Sequence, residues 1–123
     1  DDEHDPDSIN LRNVPKSVRV YEISGPMFFG VADRLAGIRV KDFTRCLILR
    51  MRGVPSIDIT ALDSLEKLLA NCQKNGITLI LSHVNEQPMS VMQHAGFYDK
   101  VGAENFCKHI DDALARAKEC AEG

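Results

Sequence analysis

Ser56, Asp58 and Thr60 stand at alternate positions in the stretch VPSIDITA, between an apolar run and a segment of helical periodicity. Hydroxyls and a carboxylate at the start of a helix support three kinds of chemistry. They cap the helix, because a side-chain oxygen there accepts from backbone N–H groups that have no partner within it. A hydroxyl accepts a phosphoryl group, whose charge the helix dipole favours. The same N–H groups hold an anionic ligand. Thr60 and Asp63 also resemble a capping box with Asp in place of Glu. Arg50 and Arg52 are two positions apart and project to one side of an extended chain, where they suit an anion or an acidic partner. His83 follows a second apolar run and falls at the same sheet end as Asp58.

Enzymatic chemistry finds little support. A small hydrolase or transferase built on Asp58 or Thr60 with His83 lacks the convergent groups that such a site needs. The nucleophile-elbow, P-loop, dinucleotide and H-E-x-x-H patterns do not occur. The four histidines, His4, His83, His94 and His109, are scattered rather than clustered as metal ligands. Cys46, Cys72, Cys107 and Cys120 have no C-x-x-C or metal-ligand spacing. Cys46 falls in an apolar run and Cys72 on an apolar helix face, so they read as buried, reduced thiols of a reducing compartment. The expectation is no catalytic residue and no metal.

The elements that position these groups follow from the periodicity. Residues 45–51 form a continuous apolar run, the mark of a strand buried on both faces. Gly53 and Pro55 turn the chain, and a helix opens at 58–60. Leu62, Leu65, Leu68, Leu69 and Cys72 recur on one face of that helix, with Asp63, Glu66, Lys67, Asn71 and Lys74 opposite. Asn75-Gly76 stops it, and residues 77–81 form a second buried strand, completing a βαβ unit. Upstream, residues 18–23 (VRVYEI) read as a strand that turns at Ser24-Gly25-Pro26 into a second short strand, 27–29, closed by Gly30. A short helix over 31–38, interrupted by Gly37, precedes the first buried strand. Downstream, residues 82–86 form a loop and Pro88 lies in the first turn of the next helix. That helix has Val91, Met92 and Ala95 on its apolar face and Gly96 at its end. Residues 97–101 read as a very short strand, and a last helix starts at Ile110 with Ala113, Leu114 and Ala117 on one face. The pattern predicts an α/β fold: a small mixed sheet with a parallel centre and a short N-terminal hairpin, packed with about four helices.

The 123 residues suffice for one domain. Five of the 18 acidic side chains lie in residues 1–16 with only Arg12 and Lys16, so the net charge of −3 belongs to that leader and the remainder is neutral. A neutral body argues against nucleic acid. No apolar run reaches the ~18–20 residues of a membrane span. The chain begins without Met, which predicts a piece of a longer protein, and residues 1–15 read as an acidic linker.

Several of these stretches together resemble a known family. Val20-Tyr21-Glu22-Ile23, Gly25-Pro26-Met27-Phe28-Phe29-Gly30, Leu47 to Met51 and Val54-Pro55-Ser56-Ile57-Asp58-Ile59-Thr60-Ala61 look like a STAS domain, most like the C-terminal STAS domain of bacterial SulP-type anion transporters. Leu79-Ile80-Leu81, Asn85, Met92 and Ala95-Gly96-Phe97 continue the match, which covers residues 16–120 and leaves 121–123 as a tail. The resemblance implies the fold shared with anti-sigma-factor antagonists. It also implies a regulatory, protein-interaction role on the cytoplasmic face of the inner membrane, and a parent that moves sulfate, bicarbonate or dicarboxylates. The implied partners are the membrane domain of the same parent chain, preceding the linker, and a cytosolic protein such as acyl carrier protein. Homo-oligomers would form through the parent. Some relatives are linked to a nucleotide, for which the residues here give no support, so no cofactor is expected. Thr60 aligns with the phosphorylated serine of the antagonists, making a free-standing antagonist switched at Thr60 the alternative. Ile59 and Ala61 depart from the antagonist loop, and His83 stands where glycine is commoner.

Overall fold

The computed structural model describes residues 14–25 and 44–122. The leader through residue 13, the strand expected over 27–29, Gly30 and the helix expected over 31–38 lie outside the described residues.

A four-stranded sheet carries the fold, built from β1 (Val18–Ser24), β2 (Cys46–Gly53), β3 (Thr78–Ser82) and β4 (Phe106–Cys107) in that spatial order. All three ladders are parallel. Rows of side chains therefore run across the strands, one joining Val20, Ile48 and Ile80 and another joining Glu22, Arg50, Ser82 and Cys107. Residues 46–51 are all buried, as expected for a strand with helices on both faces.

Alternation along β2 and β3 sorts the core into two layers. Leu47, Leu49, Met51, Leu79 and Leu81 face α1 (Ile59–Lys74), α2 (Glu86–His94) and α3 (Phe97–Val101), meeting Leu65, Leu69, Met92 and Phe97. Cys46, Ile48 and Ile80 face α4 (Ile110–Glu122), which presents Ile110, Ala113 and Ala117. The two alanines let α4 lie close to the sheet. No described helix is long and apolar enough to cross a membrane.

The periodicity of α1 is realised in full: Leu62, Leu65, Leu68, Leu69 and Cys72 are buried. Its end is a Schellman motif, with Ile77 N–H donating to Cys72 O at 2.8 Å, Gly76 N–H to Gln73 O at 3.3 Å and Gly76 at φ +70°.

Two expectations fail downstream. Residues 97–101 form a helical turn rather than a strand. Gly96 at φ +82° reverses the chain after α2, and Phe97 and Val101, four apart, are then buried on one side. Five residues are too few for aromatic and β-branched propensity to outweigh that packing. The sheet's fourth strand is instead the two-residue β4, reached through a 3₁₀ turn over Ala103–Asn105. In α2, Met92 is buried as expected and Pro88 joins it, but Val91 is half-buried and Ala95 exposed.

Two substitutions test this account. Leu65 is fully buried against β2 and β3, so Leu65→Ala lowers the unfolding free energy by ~2–5 kcal/mol. Nothing lies within 4 Å of a Cβ built on Gly76, so Gly76→Ala pays only for its left-handed backbone, about 1 kcal/mol. Urea titration reads both.

Candidate functional site

The chain leaves β2 at Gly53 and reaches α1 in five residues, and two amide side chains from the head of α2 hold that loop. Asn85 Nδ2 donates to Val54 O at 2.8 Å and Arg52 O at 3.2 Å. Gln87 pairs with the backbone of Ile57 as a neighbouring strand would: its Oε1 accepts from Ile57 N–H at 2.8 Å and its Nε2 donates to Ile57 O at 3.1 Å. Buried backbone groups that would otherwise be unpaired are satisfied in this way. Gln87 escaped sequence reasoning altogether. Its only signal is an amide in the first turn of a helix that follows a sheet strand.

On this support Ser56 is half-buried, and Asp58 is the N-cap of α1. Asp58 is extended at φ −108° and ψ −179°, and its carboxylate accepts from Ala61 N–H at 2.8 Å. The capping box expected of Thr60 and Asp63 does not form, because the helix starts two residues earlier than a Thr60 cap requires and Thr60 lies inside its first turn. Thr60 is exposed there, its carbonyl accepting from Ser64 Oγ at 3.2 Å. Ile59 beside it is 81% exposed, although the buried core contains nearly every other large aliphatic side chain described.

Ile57, Asp58, Ile59 and Leu62 form one wall of a groove of about 480 Å³ whose other wall is Ser90, Val91, His94 and Ala95 of α2. The exposure of Val91 and Ala95 thus has a structural meaning: they line an apolar trough between two helices.

The arginines point elsewhere. Arg50 and Arg52 continue the row of Cys46 and Ile48 toward the α4 side of the sheet, while the loop joins α1 on the other side. Both meet Glu22 of β1. Arg52 Nε donates to Glu22 Oε2 at 2.9 Å, and Arg50, only 3% exposed, brings a guanidinium nitrogen to 3.8 Å from Oε1. Glu22 is thus an acidic partner for both within the chain. His83 does lie at the same sheet end as Asp58, exposed, with φ +52° and its N–H donating to Cys107 O at 2.7 Å. A left-handed backbone at that point is what glycine accommodates without cost. His83 lines a separate cleft of about 520 Å³ with Asn85, Tyr98, Phe106 and Lys108. Among the described residues no three His, Cys, Asp or Glu side chains are grouped to hold a metal ion.

The STAS domain family model matches residues 11–113. A sulfate transporter family protein from Wolinella succinogenes, known from its crystal structure, is 42% identical with a TM-score of 0.91, the match covering 97% of this chain and 99% of that one. The STAS domain of a SulP transporter from Vibrio cholerae is 30% identical with a TM-score of 0.75, over 89% and 88% of the two chains. The putative sulfate transporter YvdB of Bacillus subtilis is 29% identical over 99 residues, which are 78% of this chain and 19% of that relative. The chain therefore spans about a fifth of the length of that curated relative.

The capping geometry separates Asp58 from Thr60. Asp58→Ala should cost about 1 kcal/mol of stability, whereas Thr60→Ala, at an exposed site with its hydroxyl outside the cap, should change it by less than about 0.5 kcal/mol. Unfolding midpoints in urea measure the pair, and the reverse order would return the cap to Thr60.

Proposed function

The chain belongs to the STAS domain family, among the STAS domains of SulP transporters, and from that premise we propose that it is a non-catalytic regulatory and docking domain of an anion transporter. In this reading a membrane domain of the same parent chain carries it on the cytoplasmic face of the inner membrane. The anion belongs to the sulfate, bicarbonate or dicarboxylate class.

The observation that carries the docking role is Ile59, a large apolar side chain left 81% exposed at the first residue of α1, directly after a loop that Asn85 and Gln87 hold in place. An exposed aliphatic residue beside an apolar trough, on a rigid support, has the form of an interface anchor. Asp58 supports the non-catalytic reading, since its carboxylate is engaged in capping. The occupant we assign to the groove is the membrane domain of the parent. The 19% coverage of the sulfate transporter relative leaves most of that protein to be such a neighbour. A cytosolic protein such as acyl carrier protein is the competing occupant.

Thr60 favours a second reading. It is exposed in the first turn of a 16-residue helix, where an added phosphate is electrostatically favoured, as a phosphorylation-switched antagonist would require.

Ile59→Glu tests the docking role. In the isolated domain it should leave the unfolding midpoint within experimental error, because the side chain is in solvent. In the full-length parent it should lower labelled-sulfate uptake several-fold, and a membrane domain expressed as a separate chain should no longer co-purify with the mutant domain. Unchanged uptake and co-purification would remove the groove from the interface. A parent domain that does not co-purify with a membrane domain, and that incorporates phosphate at Thr60 from a kinase of the source cell, would favour the second reading.

A further inference from the structure

Three of the four cysteines lie on the α4 side of the sheet, and two of them meet. Cys46 opens β2, is fully buried, and its Sγ donates to the Ala117 carbonyl of α4 at 3.3 Å. In a helix the carbonyl of residue i points along the axis toward residues i+3 and i+4. A sulfur at that oxygen therefore sits beside Cys120, which follows Ala117 on the same face and packs into the same apolar cluster. The Cys120 thiol is thus a neighbour of the Cys46 thiol within one apolar cluster. Burial, reinforced by this neighbour, pushes the Cys46 thiol up to about 11, while Arg116 opposes the rise. The other two cysteines are out of reach. Cys72 is on the opposite face of the sheet, and Cys107 precedes α4, with about 15 Å of helix between Ile110 and Cys120.

We infer that Cys46 and Cys120 are a peroxide-oxidised dithiol, whose disulfide fastens the last turn of α4 to the head of β2. Cys120 is only half-buried and meets the oxidant. Its thiolate sulfur attacks one peroxide oxygen and the O–O bond breaks, giving a sulfenic acid and one water. The Cys46 sulfur then displaces hydroxide from the Cys120 sulfur. The S–S bond forms as the S–O bond breaks, and the Cys46 proton leaves with the hydroxyl as a second water. The two thiols lose two protons and two electrons, and the peroxide is reduced to water. A buried, protonated Cys46 makes the second step slow at neutral pH and faster as pH rises toward its raised value. The cross-link closes a long loop through both core layers, which restricts the unfolded chain. This inference does not depend on the transporter reading.

The test is hydrogen peroxide treatment of the 123-residue chain, followed by alkylation in denaturant, trypsin digestion without reductant and mass spectrometry. The expected product is peptide 46–50 joined to peptide 119–123, lighter than their sum by two hydrogens and separated by dithiothreitol. The oxidised domain should melt higher by roughly 5 °C or more. Cys120→Ser, at a half-exposed site, keeps the fold and should abolish both the joined peptide and the rise. Cys120 oxidised to sulfinic acid with Cys46 fully alkylated would overturn the inference, as would Cys120 joined to Cys107 instead.

Discussion

A strand with no wet face dictates the layering of this domain. Residues 46–51 of β2 are buried on both sides, so every side chain in that run needs a partner helix above or below it. Burying a Leu or Ile contributes about 1.5–3 kcal/mol, and the alternation of strand side chains divides that gain between two cores. The odd positions draw in α1 to α3, and the even positions draw in α4. At Arg50 the even series turns polar, and the strand leaves the core through the Glu22 ion pairs.

The loop after β2 inherits its rigidity from this arrangement. Parallel strands deliver their C-terminal ends to one side of the sheet, where α/β folds place their working loops. Two amides at the start of α2 then take over hydrogen bonds that a further strand would supply. A side chain in the helical turn that such a loop leads into loses little freedom when a partner covers it, since its backbone is already ordered. The exposed Ile59 is therefore better placed for binding than an equally exposed residue on a loose segment.

The buried elements were legible in the residues to different degrees. β2, α1 and β3 announce themselves through long runs of one period, and α1 ends where Asn75-Gly76 was expected to stop it. Residues 97–101 do not announce themselves, because five positions carry too little pattern and Gly96, not their own propensity, decides their path. β4 is two residues long and leaves almost no trace. Within the site, Asp58 and Thr60 are both good caps by type. Only the geometry of the turn, where Gln87 pairs with Ile57, tells which of them caps α1. The two arginines share a side as expected, but Glu22, 28 and 30 positions earlier, receives them, a pairing that requires knowing the strand register. The meeting of Cys46 with Cys120 likewise exists only once α4 is laid across the sheet.

The all-parallel ladders among the described strands also bear on how the domain is made. Val18 pairs with Cys46 and Cys46 with Thr78, partners 28 and 32 positions apart, and no described ladder is a hairpin. Contacts of that sequence separation form slowly, because loop closure must precede the reward. The core on the α4 side needs Ile110, Ala113 and Ala117, which follow all the described strands in the sequence. On the ribosome, then, Ile48 and Ile80 remain without their cover until α4 has emerged. The nascent β2 spends that interval with one apolar face uncovered, the kind of surface through which incomplete chains aggregate.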